Sequence, residues 1–125
     1  MTEDFSAVTA VLGEYFDGLY HSDTARLARV FHPRAQYVSM TEGALLYRTM
    51  AEYFPIVDAR PAPAARGEAR ADQIVEIAFA GPATATARVN CAIGERYFTD
   101  CLTLILDEGR WQIISKVFHY EIREN

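Results

Sequence analysis

The chain has little cysteine, little histidine and no surplus of positive charge, and each scarcity closes off a class of function. Its 125 residues include two cysteines and three histidines, and neither set has metal-ligand spacing, so no metal is expected. Cys91 and Cys101 fall in strand-like segments and read as reduced, buried thiols. The net charge is −5 and no basic stripe is present, which argues against nucleic acid or an acidic membrane surface as a partner. No stretch is long and apolar enough to span a bilayer. Met1-Thr2-Glu3-Asp4 is acidic and lacks the basic start and apolar run of a secretory leader, so a cytoplasmic location is expected. There is no phosphate-cradling glycine motif, no nucleophile–base signature, no internal repeat and no low-complexity segment. No cofactor is expected.

The remaining sequence suits a single domain over residues 1–125. Half of it is hydrophobic and 23% is charged, an ordinary balance for one core at this length. Phe5, Val8, Val11, Leu12, Tyr15, Phe16 and Leu19 recur at steps of three and four, which predicts an amphipathic helix over residues 2–20. Thr2 or Asp4 would cap it. Ser22 and Asp23 should start a second helix, with Leu27, Val30 and Phe31 inward and Pro33 as its stop. Residues 35–40 and 45–48 read as short strands around a Glu42-Gly43 turn. Thr49 is placed to cap a short third helix that Pro55 limits or kinks.

Residues 60–67 hold two prolines, three alanines and a glycine, and read as a loop. Four strands follow, over residues 71–80, 83–93, 96–106 and 110–122. The last two form a hairpin around Asp107-Glu108-Gly109. A three-residue turn ending in a left-handed glycine would set Leu102 opposite Ile114, Asp100 opposite Lys116, and Phe98 opposite Phe118. Helices followed by long antiparallel strands make an α+β pattern, with one curved sheet wrapped around the helices.

Asp100 is the best pointer to a site. Side chains alternate along a strand, so Phe98, Asp100, Leu102, Leu104 and Leu106 share a face. A carboxylate on that core side must find a partner, because burying it alone costs several kcal/mol or more.

The element order resembles the nuclear transport factor 2-like superfamily, a cone-shaped α+β barrel. Within it the chain is similar to the small bacterial proteins grouped as putative lumazine-binding, or SnoaL-like. The likeness rests on Val11-Leu12-Gly13-Glu14-Tyr15-Phe16, on Asp23 with Phe31-His32-Pro33, and on the strand blocks Phe98–Leu104 and Trp111–His119. The resemblance implies a pocket between the concave sheet face and the helices. Tyr15, Phe31, Asp100, Leu102, Ile114, Lys116 and Phe118 would line it. It also implies a homodimer through the convex face, around Cys101, Trp111, Ser115, Val117 and His119.

Two chemistries compete for this pocket. An Asp100–Lys116 pair is either a structural ion pair or a polar clamp for a ligand oxygen. Tyr15 and Asp100 resemble the oxyanion-hole pair of ketosteroid isomerase, in the same superfamily, although Tyr15 also suits a plain core aromatic. Two departures disfavour steroid-type isomerisation. The position matching the catalytic base is Ser39, and a cation beside an aspartate favours the ionised form, which cannot donate a hydrogen bond. A register slip of one residue would bring His119 inward in place of Lys116, and Asp100 with His119 would then make an acid–base dyad. His32 is expected to help cap helix carbonyls, and His21 to be solvated.

Phe16, Tyr20, Phe31, Tyr37, Tyr53 and Phe54 suit core packing, and some could stack on a flat ring. Arg60 and Arg66 flank the Pro/Ala loop, where they would be solvated or would meet an anionic ligand. The leading expectation is therefore a protein that binds a small, partly aromatic molecule in an internal, mostly apolar cavity. The alternatives are a cofactor-free lyase or isomerase acting through Asp100 with Tyr15 or His119, and an accessory domain whose interior is merely packing.

Overall fold

The computed structural model describes residues 2–123, apart from the side chain of Thr2, so capping by Thr2 lies outside the described residues. Helix α1 spans Thr2–His21. Its stripe of Val8, Leu12, Tyr15, Phe16 and Leu19 is buried, as the three-and-four spacing requires. Asp4 lies inside this helix instead of capping it, and accepts a 3.3 Å hydrogen bond from Trp111 Nε1. Ser22 ends the helix in the left-handed region (φ 48°), where the next amide, Asp23 N–H, donates back to Gly18 O at 2.8 Å. The Asp23 side chain then caps α2, Thr24–Val30.

Helix α2 stops before Phe31, earlier than a Pro33 stop predicts, because Phe31 already pairs with Ile113 in the sheet. Strand β1 is Phe31–Ser39, and Pro33 falls at a register irregularity between Phe31 and Gln36. A proline without an N–H is tolerated there, since no regular ladder bond is lost. Strand β2, Leu46–Thr49, leads into α3, Met50–Ala59. Thr49 and Glu52 form a reciprocal capping box that fixes the start of α3. Pro55 does not end this helix: buried Tyr53 and Val57 anchor it on both sides of the proline.

The long strands are β3 (Gln73–Phe79), β4 (Thr84–Ile93), β5 (Arg96–Asp107) and β6 (Arg110–Ile122). They form one curved, unclosed six-stranded sheet in the order β2-β1-β6-β5-β4-β3. The sheet is mixed where an antiparallel one was expected, since β1 runs parallel to β6. The helices cover its concave face, and the buried residues of both layers form one cluster. Among the described residues, no helix is long and apolar enough to cross a membrane.

The β5–β6 register corrects the sequence reading twice. The turn is the two-residue Glu108-Gly109, both with positive φ (51° and 78°), so Asp107 pairs with Arg110. Two left-handed residues match the twist of the flanking strands. This turn brings Trp111 and Ile113 to the concave face, opposite Leu106 and Leu104. Ile114 is then skipped as a bulge and stays half-buried. Beyond it, Leu102 faces Lys116 and Asp100 faces Phe118. The bulge thus returns Lys116 and Phe118 to the concave face, while Ile113 occupies the inward place expected for Ile114.

Two glycines of α1 separate helix propensity from packing. Gly13 has open space where a Cβ would stand, whereas a Cβ on Gly18 would meet Leu27 Cγ at 2.8 Å and Cδ2 at 2.6 Å. Leu27 is fully buried and has nowhere to retreat. Gly13→Ala should stabilise the protein by about 0.5–1 kcal/mol. Gly18→Ala should destabilise it, because overpacking of about 1–3 kcal/mol exceeds the same propensity gain. Urea unfolding of the two variants checks the opposite signs.

Candidate functional site

Asp100 has no exposure to solvent. It projects from β5 toward Tyr15 of α1, whose hydroxyl donates to Asp100 Oδ2 at 2.5 Å. Lys116, 4% exposed on β6, places its Nζ 3.8 Å from the same oxygen. That distance is an ion pair but longer than a hydrogen bond. Asp100 Oδ1 is buried with no hydrogen-bond partner. The two charges sit diagonally across the hairpin, since their strand partners are Phe118 and Leu102.

The ammonium is wrapped in rings. Tyr15, Tyr37, Tyr53, Phe98 and Phe118 all have centroids 5.2–6.0 Å from Nζ. Desolvated cation–π contacts are worth roughly 2 kcal/mol or more, which helps to offset a burial cost of several kcal/mol. Burial works against the charged amine, but the Asp100 carboxylate, followed by Tyr53, Tyr37 and Cys91, outweighs it and the Lys116 pKa is raised. Lys116 is therefore an ammonium at neutral pH, a donor and not a nucleophilic amine. Burial, then Asp100, raises the Tyr15 pKa well above its ordinary value. Burial likewise raises Tyr37, against the pull of Lys116. Burial and then Asp100 push the Cys91 thiol up to about 12.

Beside Lys116 lies a hollow of only about 10 Å³, bordered by Tyr37, Tyr53, Arg60, Cys91 and Phe98, with Leu19 and Ile93. It has room for one water-sized atom. The roomy internal cavity expected from the sequence is filled here by aromatic rings, which stack and tilt against one another. Tyr37 and Tyr53 lie 4.2 Å apart, and Phe31 packs edge-on to both Tyr15 and Tyr53. The larger space is an open groove of about 900 Å³ outside, between the loop at 66–71 and the β4–β5 turn. Arg60, Ile93 and Phe98 border both spaces.

The structure brings together Tyr15, Asp100, Lys116 and Phe118 as expected. Of the seven residues expected to line a pocket, Lys116 alone borders the hollow: Tyr15, Phe31, Asp100, Leu102 and Phe118 are buried around it without lining it. Ile114 is displaced from the concave face by the bulge. His119 is exposed on the convex face, where its Nδ1 lies 3.0 Å from Thr41 Oγ1, so it makes no dyad with Asp100. Ser39 is buried and bonded to Thr41. Of the residues expected on the convex face, Cys101 and Val117 are also exposed and Ser115 is half-buried. Exposure of Cys101 corrects its reading as a buried thiol. Trp111 is not on that face: it packs edge-on against Phe79, within the core.

His32 does not cap a helix. It pairs with Asp107 at 2.9 Å and accepts from Arg34 N–H. Cys91 and Ile93 border the hollow, and the sequence marks neither as a site residue, Cys91 reading only as a buried thiol. Their only signal was alternation along β4, which placed them inward without a role. Among the described residues, no group of three or more His, Cys, Asp or Glu side chains is placed to hold a metal ion.

The family described as putative lumazine-binding matches residues 3–119. A curated relative, aldolase FrzH from a Cladobotryum species, is 25% identical over 120 residues, which cover 94% of this chain and 92% of that protein. An NTF-2-like protein of unknown function from Silicibacter pomeroyi superposes with a TM-score of 0.82 at 29% identity, over 98% of each chain. A ketosteroid isomerase-like protein from Erwinia carotovora atroseptica shares the fold with a TM-score of 0.76 at 10% identity, over 98% of this chain and all of that one, 100%.

Two predictions follow from the buried charges. Lys116→Met leaves Asp100 without its cation and should cost about 3–5 kcal/mol at neutral pH. The Asp100→Asn/Lys116→Met double variant should recover more than half of that loss, and a double variant as unstable as the single one would contradict the coupling. Stability should also fall in alkali. Folding raises the Cys91 pKa from its ordinary 9.0 to about 12, so above pH 9 the unfolded chain releases a proton that the native state keeps. Such a group lowers stability by about 1.4 kcal/mol per pH unit. Tyr15, Tyr37 and Lys116 join above their ordinary values of 10.0, 10.0 and 10.5. In urea titrations from pH 8 to 11, Cys91→Ala should move the onset of this decline from about 9 to about 10.

Proposed function

The chain belongs to the putative lumazine-binding family, and we propose that it binds a small, partly aromatic molecule whose oxygen is drawn toward Lys116. The observation that carries this reading is the caged ammonium beneath the groove. A purely structural Lys116–Asp100 pair could be replaced as a pair by apolar side chains of similar volume at little cost or with gain. Here the amine borders a hollow that holds one atom, under a groove of about 900 Å³. That combination suits a ligand whose body lies in the groove and whose oxygen reaches inward. The hollow has the mostly apolar walls usual in such sites, while the groove outside it combines Ile93, Tyr97 and Phe98 with charged side chains.

A second reading is a cofactor-free lyase or isomerase that works through Asp100 and Tyr15. The relative named as an aldolase favours it, as does a protonated Lys116 able to stabilise an enolate oxygen. His119 has no part in this version, because it stands on the opposite face.

Calorimetric titration with lumazine and with 2-naphthamide tests the binding. Each presents a flat ring and a carbonyl oxygen. At least one should bind saturably below millimolar concentration, and the Asp100→Asn/Lys116→Met double variant should bind it at least tenfold more weakly. Equal affinity in that folded double variant, or no binding of either probe to the wild type, overturns the proposal.

A further inference from the structure

Arg60 immediately follows α3, where its backbone N–H closes on Val57 O and Pro61 follows at once. Its guanidinium stands where the inner hollow meets the outer groove. Nε and Nη2 are both buried and both lack a hydrogen-bond partner. These two nitrogens form one edge of the guanidinium, the edge that receives a carboxylate through two parallel N–H···O bonds. Leaving such an edge buried and unmatched is unfavourable, so its persistence points to a partner from outside the chain.

The neighbouring cations are engaged within the protein. Arg66 pairs with Glu68 at 3.3 Å. Arg70 pairs with Asp17 at 2.9 Å and Asp72 at 2.6 Å, and lies over the Tyr20 ring. Arg96 lies over the Tyr120 ring, 4.7 Å from its centroid. Glu68 and Glu95 also line the groove, which tempers its positive charge. One unmatched guanidinium edge in such surroundings suits a single carboxylate better than a dianion.

The groove is also held in shape. Ala64 N–H donates to Tyr20 O, the Tyr20 hydroxyl donates to Glu68 O at 2.6 Å, and Gly94 N–H donates to Glu68 Oε1 at 2.9 Å. These bonds fasten the 60–72 segment to α1 and to the β4–β5 turn, so little ordering is left to binding.

We propose that Arg60 is a carboxylate receptor, and that the natural ligand is an aromatic or partly apolar organic acid. Its carboxylate takes the Nε/Nη2 edge, one oxygen turns into the hollow toward Lys116, and its ring lies along Ile93 and Phe98. The proposal rests on the binding reading above and deepens it by fixing the ligand's charge.

Paired titrations with 2-naphthoate and 2-naphthamide separate the two. In the wild type, the acid should bind at least tenfold more tightly than the amide. Arg60→Met should bring the acid down to the affinity of the amide and weaken the amide itself far less than the acid. Arg60→Lys, which keeps the charge but lacks the fork, should retain less than half of the preference on a logarithmic scale. Because Arg60→Met removes an unmatched buried edge, its thermal midpoint should not fall. Equal binding of acid and amide by the wild type overturns the carboxylate receptor while leaving the binding site standing. An Arg60→Met protein that melts lower and keeps the preference makes Arg60 a packing residue. Failure of both probes to bind the wild type removes the carboxylate receptor, and removes the binding reading with it when lumazine also fails to bind.

Discussion

One buried cation governs the interior. Lys116 sits among five rings with Asp100 as its counter-charge, and each of its neighbours is constrained in turn. Tyr15 must aim its hydroxyl at Asp100, which fixes the rotation of α1 about its axis. Tyr53 must lie over Tyr37, which fixes how α3 sits on β1. An apolar core of the same volume would tolerate small slides of helix against sheet. A charge pair with directional partners does not, because any slide leaves a charge unmatched in a medium of low dielectric.

The same cluster decides what chemistry is open to the site. A lysine that attacks a carbonyl needs a depressed pKa. Lys116 has the reverse, so it can hold or polarise an oxygen but is not suited to forming a Schiff base. Tyr15 keeps its proton as well and remains a donor. Both donors already face Asp100 Oδ2, and of the three groups Lys116 is the one that borders the hollow. Catalysis would require a substrate that develops negative charge on an oxygen held by Lys116.

Much of this was legible in the sequence. The helical stripe of α1, the Thr49 cap, the strand boundaries to within a few residues and the inward Asp100 all follow from periodicity and turn chemistry. The pairing of Asp100 with Lys116 was also foreseen, but through two errors that cancelled. The tip was read as three residues when it is two, which alone would have turned Lys116 outward. The Ile114 bulge, which nothing in the local sequence announces, turned it back. Trp111 and Ile114 lie between the two errors, and they are the residues placed wrongly. The filled interior was illegible for a different reason. Composition reveals how many rings there are, but not whether they interlock or stand apart around a void. The site's edge at Arg60 depended on α3 continuing through Pro55.

The bulge on β6 has a bearing on how such chains can vary. Because it absorbs one residue between hairpin tip and site, the tip can change length without disturbing the buried cluster, provided a compensating change occurs at position 114. What a descendant of this chain must preserve there is parity, odd against even, and not the number of residues. Aligned position by position, two relatives could then seem to have shifted their central lysine while both keep it facing the same way.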